Sequence, residues 1–175
     1  MGHRIGCVPH QIEESAITSA HASVGECPSS DQLLSLRAGG RHCALPLSMV
    51  VEVLRPLPVE ALRDTPDFLL GMSVLRGRPV PVLDLARLLG DAHSEAGRWL
   101  HLRLGDRPLA LAVDSVDGVQ RFEQVEWQRL PTLFDQAEPA PSVARLAELD
   151  HQLLTQLDAM RLLPEQLWQR LPGNG

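Results

Sequence analysis

The sequence predicts an all-β fold: two similar small β-barrels made by internal duplication, a short C-terminal helix, and a disordered N-terminal tail. Three observations point there. The chain repeats itself from Leu33 onward. Apolar residues in each copy alternate at period two. Gly, Asp and Pro punctuate the apolar runs where turns are needed. Hydrophobic residues make up 44% of the 175 and charged residues 22%, enough to build a core.

The elements follow in order. Residues 1–31 scatter Ser, His, Gly, Pro and Glu among isolated aliphatics and keep no period, which marks a disordered tail. Leu34 and Leu36, then Cys43, Leu45 and Leu47, alternate on either side of Ala38-Gly39-Gly40-Arg41. Gly supplies the positive φ a tight hairpin requires. Val50, Val51 and Val53 suit a third strand, with Val50 and Val53 read as core positions. Pro56, Pro58 and Pro66 break up a long connection. Met72–Leu75 and Val80–Leu83 form a second hairpin around Arg76-Gly77-Arg78, and Pro79 and Pro81 mark an edge or irregular strand. Asp84 then caps a short helical turn through Leu89. This gives about five strands per copy.

The second copy is visible by direct alignment. Leu33–Val53 and Trp99–Val119 share nine of 21 positions at an offset of 66. Gly71–Leu89 aligns with Arg145–Leu163 at an offset of 74, pairing Asp84 with Asp158 and Arg87 with Arg161. The second middle connection is therefore eight residues longer, and it carries Trp127, Pro131, Phe134, Pro139 and Pro141. The domain is read as 32–175, with subdomains at about 32–90 and 98–163 and a helix at about 164–172 that opens on Pro164. Each half is marginal alone, so the two are expected to share a core. Ser142–Leu163 also fits an amphipathic helix; the repeat favours a hairpin turning at Asp150-His151.

Composition excludes several functions. The net charge of -6 and pI near 5.6 offer no basic stripe for nucleic acid. No apolar run approaches the ~20 residues of a membrane helix. The N-terminal stretch lacks a signal-peptide core and carries Glu13, Glu14 and Glu26, so a cytoplasmic protein is expected. Three cysteines do not make a disulfide framework, and Cys43 reads as a small core hydrophobe. His3, Cys7, His10, His21 and Cys27 match no zinc spacing, so no metal is expected. No P-loop, dinucleotide fingerprint, Gly-x-Ser-x-Gly or HExxH occurs, so neither cofactor nor enzyme activity is expected.

One segment carries a family pattern. Gly71–Leu85 (GMSVLRGRPVPVLDL) resembles the CheW family of bacterial chemotaxis coupling proteins. That pattern runs Gly-x-x-Asn-Leu-Arg-Gly, three residues, then Pro-Val-x-Asp-Leu, and Gly71, Leu75, Arg76, Gly77, Pro81, Val82, Asp84 and Leu85 match it. Ala44-Leu45-Pro46-Leu47, Val51-Glu52-Val53-Leu54 and Val113–Val119 also look like the family. Val74 stands where the family has Asn, and Thr155 and Gln156 stand where the first copy has Pro81 and Val82.

The resemblance implies two five-stranded SH3-like barrels and a non-catalytic adaptor. Its implied partners are the cytoplasmic tip of a methyl-accepting chemoreceptor, the regulatory domain of a CheA-type histidine kinase, and other CheW-like proteins, within cytoplasmic receptor arrays. An auxiliary CheW-like scaffold for a pilus, biofilm or polar array is the alternative. The receptor-facing groove of the family includes the positions matching Val50, Glu52 and Arg76. From the residues alone, Arg76 is a solvated hairpin tip or a directional contact to a partner carboxylate or carbonyl. Glu52 is an outward strand residue or a partner contact, and Val50 a core residue or a groove contact.

Overall fold

The computed structural model describes residues 32–93, 96–122, 125–129 and 142–171. The tail, with Cys7, Cys27 and their neighbouring histidines, lies outside the described residues, as do Pro131, Phe134, Pro139 and Pro141 of the long connection.

Eleven strands form among the described residues: β1 (Leu33–Ala38), β2 (Arg41–Pro46), β3 (Val50–Leu54), β4 (Leu69–Leu75), β5 (Arg78–Asp84), β6 (Arg98–Leu104), β7 (Arg107–Val113), β8 (Ser115–Gln120), β9 (Gln128–Arg129), β10 (Val143–Leu149) and β11 (Gln152–Leu157). The helices are α1 (Leu85–Leu88) and α2 (Glu165–Trp168). The fold is all-β, in two sheets of order β8-β1-β2-β11-β10-β9 and β3-β6-β7-β5-β4.

The sheets do not follow the two sequence copies. The hairpin β1–β2 of the first copy joins β8, β10 and β11 of the second, and the second copy's hairpin β6–β7 joins β3, β4 and β5 of the first. The expected contiguous halves are in fact two copies that trade their first hairpins. The duplication sets the register. His101 faces Glu52 and Leu100 faces Val53, while the offset positions Ser35 and Leu34 face Gly118 and Val119. The parallel seams match too, Val82 with Ala110 and Gln156 with Ala44. Even the β-bulge recurs, at Val51 in β3 and at Asp117 in β8.

Alternation along the strands feeds three apolar clusters. Leu34, Leu36, Cys43, Leu45, Leu83, Leu100, Leu102, Leu109, Leu111 and Leu157 meet in one large core between the sheets. The intervening residues fill two smaller interiors, Val80, Val82, Trp99, Ala110 and Ala112 in one sheet and Leu33, Ala44 and Leu154 in the other. The halves thus share their principal core, as their small size requires.

Several local expectations meet the structure directly. The β10–β11 hairpin turns at Asp150-His151, both at positive φ (49° and 61°), and no helix forms there. Asp84 accepts a hydrogen bond from the Arg87 amide and Asp158 one from the Met160 amide, so both cap the turn that follows. β5 is an interior strand and not an edge. Its pairing with β7 starts only at Val82, however, so Pro79 and Pro81 lie where β4 is the sole neighbour. β9 is a sixth strand in one sheet; in the other, an isolated bridge between Glu60 and Met72 takes the same place. The C-terminal helix is shorter than the expected 164–172, and Pro164 is its cap rather than its first residue.

Candidate partner-docking site

β3 and β4 are the two edges of their sheet, and the Glu60–Met72 bridge brings the chain beyond β3 onto β4. The β4–β5 turn consists of Arg76 and Gly77, at φ 51° and 77°. Two consecutive positive φ values give the twist a two-residue hairpin needs. Asn, Asp and Gly are the residues that favour this region, and Arg is unusual in it.

From that turn Arg76 reaches β3. Its Nε donates to Glu52 Oε1 at 2.9 Å and its Nη2 to Glu52 Oε2 at 2.7 Å. The bidentate geometry is that of a guanidinium–carboxylate fork. His101 Nδ1 lies 3.2 Å from Glu52 Oε1. An ionised carboxylate only accepts, so the imidazole proton in that contact sits on Nδ1. The Arg76 guanidinium first, and then His101, hold the Glu52 carboxyl down at about 2. The same fork raises the Arg76 guanidinium above its usual value. Both groups are charged at every physiological pH.

Of the three sequence candidates, Glu52 and Arg76 therefore engage each other. Val50 stands on the far side of the bulge, opposite Leu102, and packs against the large core. Val53, expected inside, is 44% exposed, because it lies on an edge strand with no neighbour beyond it. Val51 (48%) and Val74 (66%) are exposed as well. The edge strands thus expose apolar side chains in the same sheet that carries this ion pair, a combination suited to an amphipathic protein segment. His101 escaped the sequence reading because its partner belongs to the other copy of the repeat; its alternation with Trp99 was the sole available signal.

The equivalent edge of the other sheet lacks this chemistry. The offsets place Gly118, Asp150 and Ser35 where Glu52, Arg76 and His101 stand. Among the described residues no group of three His, Cys, Asp or Glu is arranged to hold a metal ion. No helix of the described residues is long and apolar enough to cross a membrane.

Fold and site together define a small β scaffold whose chemistry is recognition. The CheW-like domain family matches residues 32–167, and the chain belongs to that family. It is 25% identical over 108 residues to the chemotaxis protein CheW of Helicobacter pylori, covering 59% of this chain and 66% of the relative. It is 31% identical over 94 residues to protein FrzA of Myxococcus xanthus, covering 52% of this chain and 59% of that protein. Each match thus spans less than two thirds of the relative's length. The crystal structure of the scaffolding protein TtCheW from Thermoanaerobacter tengcongensis superposes with a TM-score of 0.62 at 20% identity, covering 75% of this chain and 90% of that one. This likeness supports the fold.

Proposed function

We propose that the chain is a signalling adaptor that couples the cytoplasmic tip of a chemoreceptor to the regulatory domain of a CheA-type histidine kinase, at receptor arrays in the cytoplasm. The observation that carries this reading is the Glu52–Arg76 fork at the seam of β3 and β4. It holds an exposed guanidinium between two edge strands that also expose Val51, Val53 and Val74. It sits in the family motif and in one sheet only.

Arg76 keeps an unfavoured backbone conformation at a turn that Asn or Gly would form with less strain. An arginine at such a turn is explained by what its side chain does. The mechanism is geometric. The adaptor holds kinase and receptor tip together, so a shift between two receptor states changes the population of active kinase.

Calorimetry tests the reading with two fragments, a chemoreceptor cytoplasmic tip and a CheA-type regulatory domain. Both should bind in the micromolar range, and Arg76→Glu should abolish binding of the receptor tip while leaving the kinase domain bound. Absence of binding by either fragment at high micromolar concentration refutes the proposal.

A further inference from the structure

We infer that His101 is a positioning residue for the docking cation: it fixes the Glu52 carboxylate, which in turn fixes the Arg76 guanidinium toward the partner. This rests on the docking role proposed for Arg76. Exposure rises along the chain of contacts, from 13% for the His101 side chain to 29% for Glu52 and 73% for Arg76. The inner member is anchored and the outer one faces solvent.

The bonding inventory supports the order. Glu52 Oε1 accepts from Arg76 Nε and His101 Nδ1, and Oε2 accepts from Arg76 Nη2. Three of the roughly four acceptor positions of a carboxylate are then filled. Glu52 has little left to offer a partner. Arg76 Nη1 donates no hydrogen bond among the described residues, and its two protons remain for a backbone carbonyl or a carboxylate of the docked segment.

His101 lies on β6, directly across from Glu52 on β3. It shares its face of the strand with Trp99, which is buried in the adjoining core. The imidazole is therefore set by the sheet itself. A side chain as long as Arg loses much rotamer freedom on binding, and prior fixing removes part of that loss. The other sheet is the internal comparison. Ser35 occupies the position of His101 there, faces Gly118, and bonds instead with His42.

The test is receptor-tip affinity of His101→Ala, His101→Asn, Arg76→Ala and Glu52→Gln, each checked for thermal midpoint. NMR reads the Glu52 carboxyl titration alongside. His101→Ala should weaken binding roughly three- to tenfold, the size of one lost hydrogen bond. It should also raise the Glu52 titration. His101→Asn, whose amide nitrogen can stand near the Nδ1 position, should restore affinity to within about twofold. In a Glu52→Gln background His101→Ala should add less than it does alone. Wild-type affinity in His101→Ala with binding lost in Arg76→Ala overturns the role of His101 and leaves the docking reading intact. Wild-type affinity in Arg76→Ala overturns both. A loss that Asn does not recover, with the Glu52 titration unmoved, reduces His101 to a space-filling residue and also overturns the inference.

Discussion

Gly71→Ala should be among the most damaging one-carbon changes in the chain. Gly71 has φ +139°, a region that residues with a Cβ avoid, and an added Cβ would stand 2.1 Å from the Glu60 carbonyl oxygen. Backbone occupies that space, so residues 60–61 must retreat by at least about 1.3 Å to reach ordinary contact. The retreat pulls apart the Glu60–Met72 bridge, whose two hydrogen bonds measure 2.8 and 2.9 Å. Two such bonds contribute about 2 kcal/mol net, and the backbone conformation adds about 1–3 kcal/mol. The expected destabilisation is about 4 kcal/mol.

Gly105→Ala is the control. Gly105 also has positive φ, at +65°, but an added Cβ meets nothing within 4 Å. It should cost only the conformational term, about 1–2 kcal/mol. Guanidinium unfolding followed by tryptophan fluorescence measures both. If the two variants lose stability equally, the bridge and the close approach of residues 60–61 do not contribute as described. The same substitution should lower receptor-tip affinity, since the bridge closes the seam on which Glu52 and Arg76 meet.

Three other outcomes follow from the structure. Glu52 titrates at about 2 when folded against an ordinary 4.5; a depressed carboxylate stabilises the fold above the unfolded value and loses that contribution as pH falls through the folded one. The Arg76 fork should therefore persist unchanged from pH 7 to 5 and give way only as pH falls through about 2, read by carboxyl NMR shifts; a midpoint near 4.5 would refute the pairing. Cys43 is fully buried, and burial pushes its thiol up to about 12, so a thiol reagent at pH 8 should label it only after denaturation; labelling at the rate of an exposed cysteine would contradict its place in the core. Asp84→Ala removes a nearly buried cap that also contacts His93 and should cost about 1–2 kcal/mol. The more exposed Asp158→Ala should cost less, and equal losses in denaturant titrations would show that burial does not strengthen the cap.

Much of the architecture could be read from residue pattern. Two offsets gave the duplication, and with it the caps at Asp84 and Asp158 and the turn at Asp150-His151. The exchange of hairpins could not be read. An alignment of two copies says which residues are equivalent and nothing about which copy supplies the neighbouring strand. That blindness also hid His101 and misplaced Val53. A strand's inner and outer faces depend on its neighbours, and β3 has a neighbour on one side only. The Glu52–Arg76 pair shows the same limit. Both residues stood out as partner contacts, but their mutual fork depends on two sheet edges curling together, which is a tertiary property.

The traded hairpins bear on how the chain is born. His42 on β2 waits for Leu154 on β11, more than a hundred residues downstream. At ordinary rates of translation the first hairpin leaves the ribosome on the order of ten seconds before its parallel neighbour exists. Its open flank is exposed in that interval to chaperones and to other nascent chains. The sheet of β3, β4, β5, β6 and β7 has all its strands once Val113 is made, whereas the other waits for Leu157, and cutting the gene between its two copies would yield fragments that must find each other in order to fold.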